Sequence, residues 1–335
     1  MKMEDIARLA GVSKATVSRV INSPEQVSPQ LVSRVEQVLK ETGYAPNLLA
    51  RELVTKQTHL IGVVVPQIGI DTFAEMIEGI THVLNQNGYN LLLATSRDQP
   101  EEELRYFDVF RKKQVDGIIS FPTLLLERHQ TFFARSGLPL VLVSQLDPGG
   151  TVPSVLYDDF NGTRDMVEYL LALGHRRIAY LGVGQHNKVI DQARREGYLA
   201  ALSRHGVAPE ERLMTQGDFS LQYGYRAMQT VWQSEGEKPT AVFAATDRLA
   251  LAAIQYLREQ GCSVPEDVSV AGLDDMDIAA TVHPSLTTVH YDYYNSGVQA
   301  AELLLLRMRR PQERLENIMI GYQRKERGST CAVKK

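Results

Sequence analysis

The sequence predicts a small all-α unit at the N-terminus, followed by an α/β core of two parallel-sheet lobes. Three observations carry that reading. The first 45 residues repeat apolar side chains at helical spacing between glycines. After Gln57 the texture changes to short apolar runs alternating with amphipathic segments of about 10 to 15 residues. About eight such runs over the next roughly 270 residues point to two sheets rather than one.

The elements follow in order. Met3, Ile6, Leu9 and Ala10 form the apolar stripe of a first helix that Gly11 ends. Ser13 caps a second helix, in which Val17, Val20 and Ile21 repeat at i, i+3, i+4. Ser28-Pro29 opens a third, with a capping serine and a proline at the first helical position. Leu31, Val35, Val38 and Leu39 face inward until Gly43 stops it. APNLLARELVTK, residues 45 to 56, is a short connector able to be helical, too polar for core and too apolar for an ordinary linker. IGVVVP at 61 to 66 is a buried strand, followed by a helix to Gly88, the strand NLLLATS, a charged helix from Glu101 to Lys113, and the strands GIIS and LPLVLVS. A second series runs SVLYDD, helix to Leu173, RIAYLG, helix from Arg194 to Arg204, TAVFAA, helix to Gln260, VSVAGLD and TTVHY.

Composition removes several classes. With 335 residues, 44% of them hydrophobic and 23% charged, the chain has the balance of an ordinary globular protein. No apolar run approaches the roughly 20 residues of a membrane span, and the first 25 residues alternate too often for a signal peptide. Cys262 and Cys331 have neither disulfide-framework nor metal spacing, which predicts a cytoplasmic protein without zinc. Catalysis finds no support. There is no GxSxG, GxxxxGK[ST] or HExxH, GVGQHN at 182 breaks off before a complete GxGxxG, and the eight histidines do not cluster. The net charge of -4 says nothing for nucleic acid, but residues 1 to 57 carry eight bases against six acids, leaving the remainder at -6.

The second helix is the sharpest functional signal. If Val17, Val20 and Ile21 face inward, the opposite face of GVSKATVSRVIN carries Lys14, Ala15, Ser18, Arg19 and Asn22. All are small or donor-bearing and none is acidic. Such a face suits phosphates and base edges, because Arg and Lys donate to guanine while hydroxyls and amides hold phosphate oxygens. The preceding helix joins it through a glycine-containing turn of three residues, the helix-turn-helix layout.

EDIARLAGVSKATVSRVIN, with VSPQLVSRVEQVLKETGYAPNLLAREL behind it, resembles the headpiece of the lactose-repressor (LacI/GalR) family of bacterial transcription regulators. The resemblance covers nearly the whole chain: VDGII at 115, GHRRIAYLG at 174, RREGY at 194, PTAVFAATDRLAL at 239, VPEDVSVAGLDD at 264, PSLTTV at 284 and RGST at 327. It implies a DNA-binding headpiece over 1–45, a hinge helix and linker over 46–58, and an effector-binding, dimerising core over 59–335. That core resembles periplasmic sugar-binding proteins, with an N-lobe of about 59–158 and 290–320 and a C-lobe of about 159–289 and 321–335. The family's base-reading positions fall on Lys14, Ala15 and Arg19, its phosphate-contacting positions on Ser13, Thr16, Ser18 and Asn22. The hinge leucine that wedges into the minor groove falls on Leu53, with Asn47 and Ala50 beside it. One departure is Lys2, where a threonine usually precedes the first helix.

The resemblance places a ligand between the lobes, with Gln67, Phe73, Gln145, Tyr157, Arg194, Thr246 and Asp274 at cleft-lining positions. Arg194 and Asp274 can grip adjacent sugar hydroxyls, and Phe73 or Tyr157 can stack on a sugar ring. Asp247 and Asp275 are expected to be structural caps. VLYDD at 155 and the ATD-LAL segment at 245 also look like trehalose-6-phosphate-responsive repressors. Glutamines at 67 and 145, where those proteins carry phosphate-binding arginines, instead point to an unphosphorylated sugar or sugar acid, with Arg194 as the one clear basic lining residue. The expectation is a homodimeric, double-stranded-operator-binding repressor of a carbohydrate operon that needs no cofactor or membrane. No leucine-heptad tail fits in the seven residues after Gly328. Control by a sugar phosphate or by a protein corepressor, as in the catabolite-control branch, are the alternatives.

Overall fold

The computed structural model describes residues 1–22, 24–44, 57–184 and 188–333, with the backbone alone for Asn22, Lys188 and Val189. The chain divides into two compact units, Met1–Thr58 and His59–Lys335.

The first unit holds α1 (Met3–Ala10), α2 (Lys14–Asn22), a 3-10 turn at Pro24–Gln26 and α3 (Pro29–Thr42). Gly11 and Gly43 end α1 and α3 with φ of 64° and 61°, the left-handed conformation that glycine adopts without a Cβ clash. Ser13 caps α2 as its sequence predicts, its Oγ accepting the Thr16 N–H at 3.1 Å. Ahead of α1 the Lys2 side chain makes no cap, but the Lys2 backbone N–H donates to Asp5 Oδ2 at 2.9 Å. Ile6, Ala7, Ala10, Val17, Val20 and Val35 form the core of the unit. Leu9 corrects the expected stripe: it is 59% exposed. At about 100° per residue, Ile6, Ala10 and Ala7 span one arc and Leu9 falls off its edge.

In the second unit the N-lobe contains β1 (Leu60–Val65), α4 (Asp71–Gln86), β2 (Asn90–Thr95), α5 (Pro100–Lys112), β3 (Gly117–Ser120), α6 (Glu127–Arg135), β4 (Leu140–Val143) and β5 (Ser154–Tyr157). The C-lobe follows with α7 (Asp159–Ala172), β6 (Ile178–Gly182), α8 (Lys188–Arg204), β7 (Met214–Gln216), α9 (Leu221–Gln233), β8 (Ala241–Ala244), α10 (Asp247–Glu259), β9 (Ser269–Ala271) and α11 (Asp277–Thr281). The chain ends with β10 (Thr288–Tyr291), α12 (Tyr293–Arg309), β11 (Ile318–Ile320) and β12 (Tyr322–Lys325).

One sheet has the order β11-β5-β4-β3-β1-β2 and the other β7-β6-β8-β9, every pairing parallel; β10 and β12 form a separate antiparallel ribbon. The chain passes between lobes three times, after β5, after β10 and after β11. Strands such as LIGVVV and AVFA are buried along nearly their whole length, as a sheet covered on both faces requires. The sequence reading missed β7, β11 and β12, short and partly exposed strands at sheet edges and in the ribbon; β7 and β12 have mixed polarity, and β11 is apolar but only three residues long.

Glycines let the covering helices approach closely. A Cβ on Gly297 of α12 would lie 2.0 Å from the Met76 carbonyl oxygen of α4, and one on Gly79 would lie 2.1 Å from the Tyr294 carbonyl oxygen. Backbone on both sides blocks any cheap side-chain relief, so Gly297→Ala is expected to destabilise the core by about 1–3 kcal/mol or more. Urea unfolding measures this, and an unchanged midpoint would contradict the packing described.

Candidate functional site

The exposed face of α2 is built by its core contacts. Val17 and Val20 are buried, which turns Lys14, Ala15 and Arg19 fully outward and leaves Thr16 and Ser18 half-buried at the margins. Ser13 is exposed, with its hydroxyl 2.9 Å from that of Thr16. The Lys14 ammonium rests on Glu4 of α1 at 2.8 Å, and that hydrogen bond holds its pKa above the ordinary value. Both partners are solvent-exposed, so the pair is one a phosphate or base edge displaces readily. The side chain of Asn22, and Asn47, Ala50 and Leu53, lie outside the described residues.

The second site is a cavity within the core, at the carboxyl ends of the strands, where open parallel sheets place ligands. Gln67 follows β1, Phe121 and Thr123 follow β3, Ser144 follows β4, Tyr157 ends β5, Thr246 and Arg248 follow β8, and Asp274 follows β9; all line the cavity, with Phe73 from α4 and Arg194 from α8. Of the seven non-glycine residues with positive φ among the described residues, Asp98, Ser144 and Asp274 (φ 129°) line it. Such concentrated backbone strain is typical of a ligand site.

Arg194 is the electrostatic centre. It is 6% exposed, its Nε donates to Asp159 Oδ1 at 2.8 Å, and its Nη1 donates to the Ala245 carbonyl. Burial opposes the charge, but Asp159 and Asp274 outweigh it and hold the guanidinium pKa above the ordinary value. Burial also raises the Asp159 carboxyl, against the pull of Arg194. Asp274 is pushed up to about 6 by burial, opposed by Arg194 and by the Tyr293 hydroxyl donating to its Oδ1 at 2.8 Å.

The aromatic walls are fixed. Phe73 meets Phe121 edge-on at 5.9 Å, and Tyr157 packs between Tyr291 and Tyr293 at 5.2 and 5.3 Å. The Ser296 hydroxyl donates to the Tyr293 carbonyl at 2.8 Å, so the Tyr157 hydroxyl, 2.6 Å away, donates to Ser296. Tyr157 therefore presents its ring rather than its hydroxyl.

Six of the seven expected cleft residues thus come together: Gln67, Phe73, Tyr157, Arg194, Thr246 and Asp274. Gln145 does not line the cavity. Its side chain is buried and its Nε2 donates to the Thr123 carbonyl at 3.4 Å, which makes it a brace for that loop. Gln67 is exposed and donates to Asp98. Thr246 caps α10, accepting the Leu249 N–H at 3.3 Å. Asp247 ties the start of α10 to β10 and to the loop after β9, accepting from the Thr288 hydroxyl and the Met276 N–H, and Asp275 pairs with Arg327 and His290. Arg248 was missed: the cavity has a second basic lining residue besides Arg194. Among the described residues no cluster of metal-ligating side chains occurs, and no helix is long and apolar enough to cross a membrane.

A helix-turn-helix unit and a two-lobed α/β core in one chain have the build of a DNA-binding transcription regulator. Residues 2–47 match the profile described as "Bacterial regulatory proteins, lacI family", and residues 167–330 match "Periplasmic binding protein-like domain". The chain is 34% identical to catabolite control protein A of Priestia megaterium, over 90% of each chain. Among solved structures it is similar to the CelR–cellobiose complex (TM-score 0.76, 31% identity, 98% of this chain and 99% of that one). It is likewise similar to the Lac repressor dimer bound to operator and the anti-inducer ONPF (TM-score 0.88, 29% identity, 99% of each). The chain belongs to the LacI family of bacterial regulatory proteins.

Proposed function

We propose that the protein is a homodimeric repressor of carbohydrate-utilisation genes, whose operator affinity is set by a small sugar-like effector bound between the lobes of its core. The observation that carries this reading is the cavity. Hydrogen-bonding charges (Arg194, Asp274) and aromatic walls (Phe73, Tyr157) converge there, in a chain whose helix α2 presents an exposed face free of carboxylates. Relatives support it: one structure holds cellobiose and another holds operator DNA. In this reading Lys14, Ala15 and Arg19 contact base edges, while Ser13, Thr16, Ser18 and Asn22 hold phosphates. Asn47, Ala50 and Leu53 belong to a hinge that engages the minor groove. Effector and operator are linked through two states of the core, with a reciprocal coupling of typically about 1–3 kcal/mol.

The test is selection of operator sequence from random DNA, followed by binding titrations with a sugar panel added. A two-fold symmetric site whose affinity responds to one sugar class is the expected result. Arg19→Ala is expected to weaken binding roughly 5- to 100-fold at the selected site and to relax preference at one base pair per half-site. Exchanging Lys14 and Ala15 should change which base pairs are selected. Equal losses on selected and random DNA would refute base reading by this face.

A further inference from the structure

We propose that Arg248 is the anion-reading residue of the cleft and that the effector is a hydroxylated carboxylic acid, of the aldonic or uronic type. The proposal deepens the effector reading above and rests on it.

Arg248 lines the same cavity as Arg194, Thr246 and Asp274. Its Nε is buried without a hydrogen-bond partner, and among the described residues its guanidinium has no ion pair. A buried unsatisfied N–H is costly, and native structures rarely leave one unless something else supplies the acceptor. Its position deepens the anomaly. Arg248 is the second residue of α10, at the positive end of the helix dipole, where a cation is disfavoured and an anion favoured. The residues three and four further along, Leu251 and Ala252, are neutral. Its neighbour Asp247 is committed to Met276 and Thr288.

Arg194 is different in kind: Asp159 and Asp274 already balance its charge. Arg248 has no such partner among the described residues, so its guanidinium lacks a counter-charge at one defined place, beside the first turn of α10. A carboxylate on the ligand supplies it, accepting from the guanidinium fork as a charge-assisted pair. A phosphate dianion would bring a second charge with no further cation among the described lining residues to meet it, and a neutral sugar would leave Arg248 unpaired.

Calorimetry on the full-length protein tests this with matched probes: gluconate, galactonate, glucuronate and galacturonate; glucose and galactose; glucose 6-phosphate. At least one sugar acid is expected to bind tenfold or more tightly than its neutral counterpart. Arg248→Gln should weaken that acid at least tenfold and erase the preference, with Arg248→Lys retaining part of it. Neutral sugars binding as tightly as acids, phosphorylated forms binding alone, no acid binding, or an acid unaffected by Arg248→Gln would each overturn the proposal. Phe73→Ala separates the two levels of inference. If it weakens the ligand while Arg248→Gln does not, the cleft reading stands and the Arg248 assignment falls. If neither has an effect on a ligand that binds, the cleft reading itself falls.

Discussion

Arg194→Met is expected to lower the unfolding free energy of the core by about 3–5 kcal/mol. Methionine fills much of the same volume, so the loss comes from charge. Removing the guanidinium leaves Asp159 buried, with the Tyr291 hydroxyl at 3.4 Å as a remaining donor, and leaves Asp274 without its main opposing charge. It also frees the Ala245 carbonyl, at the junction of β8 and α10. Urea unfolding followed by the single tryptophan, Trp232 of α9, reads the C-lobe directly. Adding Asp159→Leu to the variant should restore much of the loss, because deleting both members of a buried pair costs far less than orphaning one. A single variant within 1 kcal/mol of the parent, roughly the value of a solvated surface pair, would show that the Arg194–Asp159 pair is not buried as described.

The parts of the fold that could be read from the sequence were those with local causes. Gly11, Ser13, Pro29 and Gly43 mark helix ends through their own backbone and side-chain chemistry, and continuous runs such as IGVVV declare strands buried on both faces. Strand β7, MTQ, has no such signal: it exists because β6 offers a free edge beside it. The cleft residues came from family resemblance rather than periodicity, since residues from six strand ends and two further helices meet only after both sheets form. That route carried over Gln145, whose backbone position suits the cleft but whose side chain turns to the Thr123 carbonyl. It passed over Arg248, although a local clue existed. A base in the first turn of a helix, with no acid three or four residues on, is electrostatically misplaced unless something outside the chain answers it.

The second large effect is on pH dependence. Asp247 is fully buried at the first position of α10, and burial together with the nearby Asp274 charge pushes its pKa up from 3.8 to about 8. Asp274 rises to about 6. A carboxyl whose folded pKa is raised binds its proton more tightly in the native state. Its stabilising contribution is complete below the unfolded value of 3.8 and is lost as pH climbs through the folded value. Asp274 thus acts over about pH 4 to 6 and Asp247 over about pH 4 to 8. His175 has the opposite sign: burial lowers its pKa from 6.5, so it costs stability as pH falls below that value. From about pH 7 to 8 the Asp247 contribution stands largely clear of both. Stability there should fall with rising pH at a slope approaching about 1.4 kcal/mol per unit. Asp247→Asn should flatten that slope without disrupting the site, because an amide can make both contacts uncharged. Its carbonyl can accept the Met276 N–H, and its NH2 can donate to the Thr288 hydroxyl. Urea midpoints taken at half-unit steps from about pH 7 to 8 decide the matter: a parent with level stability, or a variant that keeps the slope, would mean that Asp247 is already ionised in the folded core.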